Sequence, residues 1–136
     1  MNFRVLGYIM VALAVIASSP YWVARLNKWT FKTRDPRYMK LLKFLRNIHK
    51  PIGVLLLIGS LIHGYQAYRL NPHTGFVVFL SFLAAVLLGG KHYSSKKKNP
   101  KVFKAHKIMV LVSFALLLIH LLWPSALGQL FGIWGW

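Results

Sequence analysis

Four apolar stretches, separated by polar and mostly basic segments, set the rhythm of this chain. They run over about residues 5–24, 52–68, 75–90 and 102–123. Each lies close to the ~20 residues that an α-helix needs to cross the hydrocarbon core of a bilayer. The first opens like a secretory signal, with Arg4, an apolar run and then Ala17-Ser18-Ser19. We read it as a retained membrane helix, with Pro20 near its end and Trp22 and Trp29 as interfacial anchors.

The segments between the spans carry helix punctuation. Asp35-Pro36 and Asn99-Pro100 each place a capping side chain before a proline whose fixed φ suits the first helical turn, and Asn71-Pro72 offers the same start for the third span. Gly89-Gly90 reads as the end of that span. Between residues 25 and 50, Met39, Leu42, Phe44 and Leu45 interleave with Lys40, Lys43 and Arg46, the pattern of a basic amphipathic helix lying at the interface. Pro51 lacks a backbone donor and is expected to kink the chain as it enters the second span. The tail, residues 125–136, has no charge and ends in Trp134 and Trp136, which suits an interfacial position. The expected fold is one all-α integral membrane domain over residues 1–136, a four-transmembrane-helix bundle with a basic interfacial amphipathic helix before the second span.

Charge orients these spans. The chain has 136 residues, of which 57% are hydrophobic, and its eighteen Lys and Arg face a single acid, Asp35. Residues 25–50 hold nine of the bases and residues 91–107 hold seven, while Arg4 and Arg69 stand alone near the other ends. The positive-inside rule then puts both basic loops in the cytoplasm and both termini outside the inner (cell) membrane. Bases placed this way meet anionic lipid rather than nucleic acid. One carboxylate rules out paired-carboxylate catalysis and carboxylate-rich metal sites, and the absence of cysteine rules out disulfides, thiolate-held clusters and covalent haem attachment.

The candidate chemistry lies in histidine. His49 and His63 are fourteen residues apart, and so are His106 and His120. Fourteen residues make about 1400° of turn and about 21 Å of rise, so both members of a pair share one helix face at two depths. The second and fourth spans run in the same direction, which sets His49 level with His106 and His63 level with His120. Two neutral imidazoles on one iron are the ligand set of a low-spin b-type haem. The expected cofactors are therefore two haem b groups, the inner iron on His49 and His106 and the outer iron on His63 and His120. Histidine inside a span is costly unless paired or ligated. Gly53, on the His49 face, leaves room for a porphyrin, and Arg69 is a strong cation near the outer site that suits propionates or an anionic acceptor. Arg46, Lys50, Lys104 and Lys107 lie within a turn of the inner ligands and serve either propionates or topology. His73 and His92 read as solvated loop residues, with a proton-handling role for His73 as the lesser alternative.

The stretch His49-Lys50-Pro51-Ile52-Gly53 followed by His63, together with His106 and His120, resembles the two-haem transmembrane cytochromes of the ferric-reductase and NADPH-oxidase type. More loosely it resembles bacterial b-type cytochromes that oxidise quinol. The resemblance covers residues 45–123 and implies haem geometry rather than a reaction. That family usually has six spans against four here, and no Gly-x-Gly-x-x-Gly stretch offers a nicotinamide or flavin site. The expectation is an electron-transfer subunit of a larger redox complex, with no catalytic residues of its own. It would take electrons from a cytoplasmic-side flavoprotein or quinol and pass them to an extracytoplasmic acceptor. Two alternatives stand beside it. One is a self-contained quinol oxidase or metal-ion reductase, for which only His73 and Tyr65 offer proton acceptors. The other is a haem-free membrane scaffold subunit.

Overall fold

The computed structural model describes residues 2–68 and 73–131, and its ordered elements are helices: α1 (Phe3–Trp29), α2 (Pro36–Tyr68), α3 (Thr74–Ser94), α4 (Pro100–Leu122) and the short α5 (Ala126–Phe131). The first four are long and apolar enough to cross a membrane. The chain is accordingly a multi-pass membrane protein, with lipid as its surroundings. Its surface bears this out. Leu55, Ile58, Leu87, Leu118 and Leu122 are exposed, whereas Ala14, Ala17, Ala85, Ser18, Ser81 and Ser113 are buried. Many large apolar side chains are exposed, and small residues are prominent among the buried ones, as expected where lipid tails remove any hydrophobic drive for helix association.

The helix starts follow the capping chemistry. Asp35 Oδ1 accepts from Arg37 N at 2.6 Å to open α2, and Asn99 Oδ1 accepts from Lys101 N at 2.9 Å to open α4. Asn71-Pro72, Arg69 and the tail tryptophans Trp134 and Trp136 lie outside the described residues. Helix α3 begins at Thr74, capped by His73, whose Nδ1 accepts from Gly75 N at 2.9 Å.

Three boundaries differ from the sequence expectation. Helix α1 continues past Ala24 to Trp29 with Pro20 inside it. Proline there leaves the Ile16 carbonyl without its usual i+4 donor, and Ser19 Oγ donates to that oxygen at 2.7 Å. The basic stretch is not a helix of its own but the first part of α2, which runs through Pro51. One absent N–H is tolerated in a long apolar helix. Helix α3 also passes Gly89-Gly90 and ends at Ser94, where Lys98 Nζ donates to the carbonyls of His92 and Tyr93.

Residues 1–60 and 61–136 form two compact units. In the first, α1 meets the N-terminal part of α2 in antiparallel register: Ala17 lies by His49, and the Met10 side chain covers Gly59, where a Cβ would collide with its sulfur. The link is clasped by Asn27, whose amide donates to Thr33 O and accepts from Thr33 N, both at 3.0 Å. In the second unit α3 packs antiparallel along α4. Val78, Ser81, Phe82 and Ala85 on α3 are buried, as are Ser113 and Leu117 on α4, and Ser113 is wholly inaccessible. The hydroxyls spend their protons locally, Ser81 on Val78 O and Ser113 on Met109 O, so neither needs a partner across the interface.

Candidate functional site

The face of α4 that carries His106, Val110, Ser113, Leu117 and His120 is the face turned away from the exposed side, with each of these residues buried or half-buried. The sequence register of the histidines is thus also the packing register of the helix. Two glycines of α3 receive the rings. A Cβ on Gly89 would lie 3.1 Å from His106 Cε1 and 3.2 Å from its Nδ1, and a Cβ on Gly75 would lie 2.6 Å from His73 Cε1 and 3.0 Å from His120 Cε1. Gly75 and Gly89 are themselves fourteen residues apart, so the antiparallel helix repeats the histidine spacing in glycine.

The rings are held by their Nδ1 atoms. His106 Nδ1 lies 2.8 Å from Ala85 O. A carbonyl only accepts, so the neutral ring donates from Nδ1 and carries its lone pair on Nε2. His49 Nδ1 lies 2.5 Å from Ala17 O in the first unit, which selects the same tautomer. At His120 the partner is the Thr74 hydroxyl, 2.9 Å from Nδ1, and that hydroxyl is also 2.5 Å from Pro124 O. Three of the four expected ligands therefore show one pattern, an Nδ1–H fixed by an oxygen and a basic Nε2. This is the outer-shell arrangement usual for metal-ligating histidine.

One end of the second unit holds three imidazoles. The ring centroids of His63 and His120 are 6.5 Å apart with planes at 77°, and His73 stacks on His120 at 6.0 Å and 8°. The His63–His120 centroid spacing is of the order two imidazoles sharing one metal would have, about 6 Å from metal–nitrogen bonds of about 2 Å on each side. His73 is a correction to the solvated-loop reading. It is half-buried, caps α3, and has its pKa lowered to about 4, first by burial and then by the neighbouring His120 and His63. His92 is likewise half-buried in the last turn of α3, stacked on Phe103 at 5.0 Å.

Other expected residues are placed separately. His49 and Gly53 belong to the first unit, and a Cβ on Gly53 would meet no described atom within 4 Å, which leaves that side of α2 open to a flat group. Lys107 Nζ lies over the Phe103 ring at 4.8 Å. Arg69 falls outside the described residues. Among the described residues no group of three or more His, Cys, Asp or Glu is arranged to hold a bare metal ion. A porphyrin iron would ask only two ligands of the protein, and of the expected pairs the described residues bring His63 and His120 together. The sequence reading missed Thr74, Gly75, Ala17 and Ala85. Of these only Gly75 had a visible signal, its fourteen-residue distance from Gly89. No protein-family model, curated protein or solved structure matches the chain.

Proposed function

We propose that this chain is a b-type dihaem cytochrome that carries electrons across a membrane as a subunit of a redox complex. The observation that carries the proposal is the shared state of His49, His106 and His120. Each holds Nδ1 against an oxygen atom and keeps its basic nitrogen at Nε2, on helices long enough to span a bilayer. This is the tautomer in which Nε2 carries the lone pair that a metal ligand uses.

In this reading His63 and His120 hold the outer haem, and His49 and His106, matched by sequence depth, hold the inner one. Haem supplies reversible one-electron chemistry when bound. The protein's share is to keep both axial rings in fixed tautomers and to exclude water with its apolar helices. The basic loops lie in the cytoplasm and both termini outside, with the first turns of α2 at the interface. A cytoplasmic-side flavoprotein or quinol is the donor and an extracytoplasmic species the acceptor, consistent with the resemblance to ferric-reductase-type membrane domains. The chain's one carboxylate, Asp35, is engaged as a cap, which favours a conduit over a self-contained oxidase.

The test is a reduced-minus-oxidised absorption spectrum of the purified protein with haem quantified per chain. Two haems with low-spin b-type bands are expected. A folded, helical protein purified from haem-replete cells without haem overturns the proposal and favours a scaffold subunit.

A further inference from the structure

We infer that Thr74 is a positioning residue for His120: it fixes the Nδ1–H tautomer, presents Nε2 as the ligating nitrogen, and lowers the potential of the outer haem. The haem part rests on the function proposed above, whereas the tautomer part rests on geometry alone.

A threonine hydroxyl has one proton and two lone pairs. Thr74 Oγ1 has two polar neighbours, Pro124 O at 2.5 Å and His120 Nδ1 at 2.9 Å. Two oxygens at the shorter distance repel unless a proton lies between them, and Pro124 O cannot supply one. Thr74 therefore donates to Pro124 O, and its remaining capacity at His120 is to accept. The His120 proton must then sit on Nδ1. Proline at 124 reinforces this, because the α4 helix ends at Leu122 and the carbonyl beyond it has no intrahelical donor. Thr74 thus satisfies an orphan carbonyl with its proton and a ligand ring with its lone pair.

This device differs from that at His106 and His49, where the acceptor is a main-chain carbonyl that no side-chain substitution removes. The outer end alone can be retuned by one residue. A ring whose Nδ1–H is held by an acceptor is a more electron-rich ligand, which favours the oxidised iron. His73, stacked nearly parallel to His120, supports the ring plane while Thr74 holds its proton.

The experiment compares wild type, Thr74→Val and Thr74→Ser, each as the full-length chain as purified, with circular dichroism as the check on folding. Nitrogen NMR of the His120 ring reads the tautomer and the exchange of its Nδ1–H, and a spectroscopic redox titration reads the midpoint potentials. Wild type and Thr74→Ser are expected to show an Nδ1–H with slowed exchange. Thr74→Val is expected to exchange that proton faster and to shift one midpoint potential upwards, leaving the other in place. A folded Thr74→Val protein with unchanged His120 Nδ1–H exchange overturns the inference, as does a change that Thr74→Ser fails to rescue. If the exchange responds but neither potential moves, the claim about the haem is refuted. If wild type contains no haem, the proposed function fails, while the NMR comparison still decides the role of Thr74.

Discussion

Under the proposed function, replacing Gly89 by a larger residue should disturb one haem seat and spare the rest of the protein. The expected effect follows from two opposed terms. An added Cβ would sit 3.1 Å from His106 Cε1 and 3.2 Å from Nδ1, several tenths of an ångström inside the ~3.5–4.0 Å of an ordinary carbon contact. Alanine must therefore push the ring off and stretch its bond to Ala85 O, which costs up to about 1 kcal/mol for a typical net hydrogen bond. Against that, Gly→Ala inside a helix gains about 0.8–1.0 kcal/mol of helical propensity. Gly89→Ala should then leave unfolding stability almost unchanged while displacing His106. Gly89→Leu gains a similar propensity, but its bulk must drive the ring from its seat. The assay is haem per chain and the low-spin spectrum of each variant in detergent, with circular dichroism alongside. Gly89→Leu is expected to fall from two haems to one with helicity retained, and Gly89→Ala to keep two with an altered inner signal. A Gly89→Leu protein that still holds two haems with the wild-type spectrum refutes the reasoning that this glycine seats a ligand.

Three further outcomes are expected. His120→Ala and His63→Ala should each remove the same single haem, and the double substitution should remove no more than that one; additive loss in pyridine-haemochrome counts argues against a shared iron. Ser113→Leu forces extra methylenes into the wholly buried point of the α3–α4 contact and should destabilise the protein by about 1–3 kcal/mol, measured by reversible unfolding in mixed micelles. His73, with its folded pKa lowered from 6.5 to about 4, stays neutral in the native protein at pH 5. Its contribution to stability is fully present above pH 6.5 and is lost as the pH falls through about 4. An NMR titration placing its midpoint near 6.5 would contradict that environment.

The parts of this structure legible from sequence were those governed by period and by caps. Hydrophobic runs gave the spans, Asp35-Pro36 and Asn99-Pro100 gave helix starts where α2 and α4 begin, and the fourteen-residue interval put His106 and His120 on the packed face of α4. Helix ends were less legible because glycine and proline carry two meanings. Gly89 reads as a stop, yet in α3 it is a clearance for an imidazole, and the basic segment before Pro51 reads as a separate interfacial helix, yet α2 runs continuously from Pro36 through Pro51. The partners of the rings were illegible for a different reason. Ala17 and Ala85 act through main-chain carbonyls, which any residue possesses, and Thr74 becomes visible only once α3 and α4 are brought together. His73 was misread because its imidazole serves as a helix cap, a task more often given to Ser, Thr, Asn or Asp.

The paired glycines on α3 also bear on how such a protein can change. Gly75 and Gly89 work as two notches on a gauge that is read against the histidines of α4. Deleting or inserting one residue between them would swing one notch by about 100° around the helix and slide it about 1.5 Å along the axis. One ring would then meet a side chain where it had met bare backbone. A change in the length of this stretch is thereby costlier than most substitutions within it, because it moves the notches and the Ala85 carbonyl together relative to the rings.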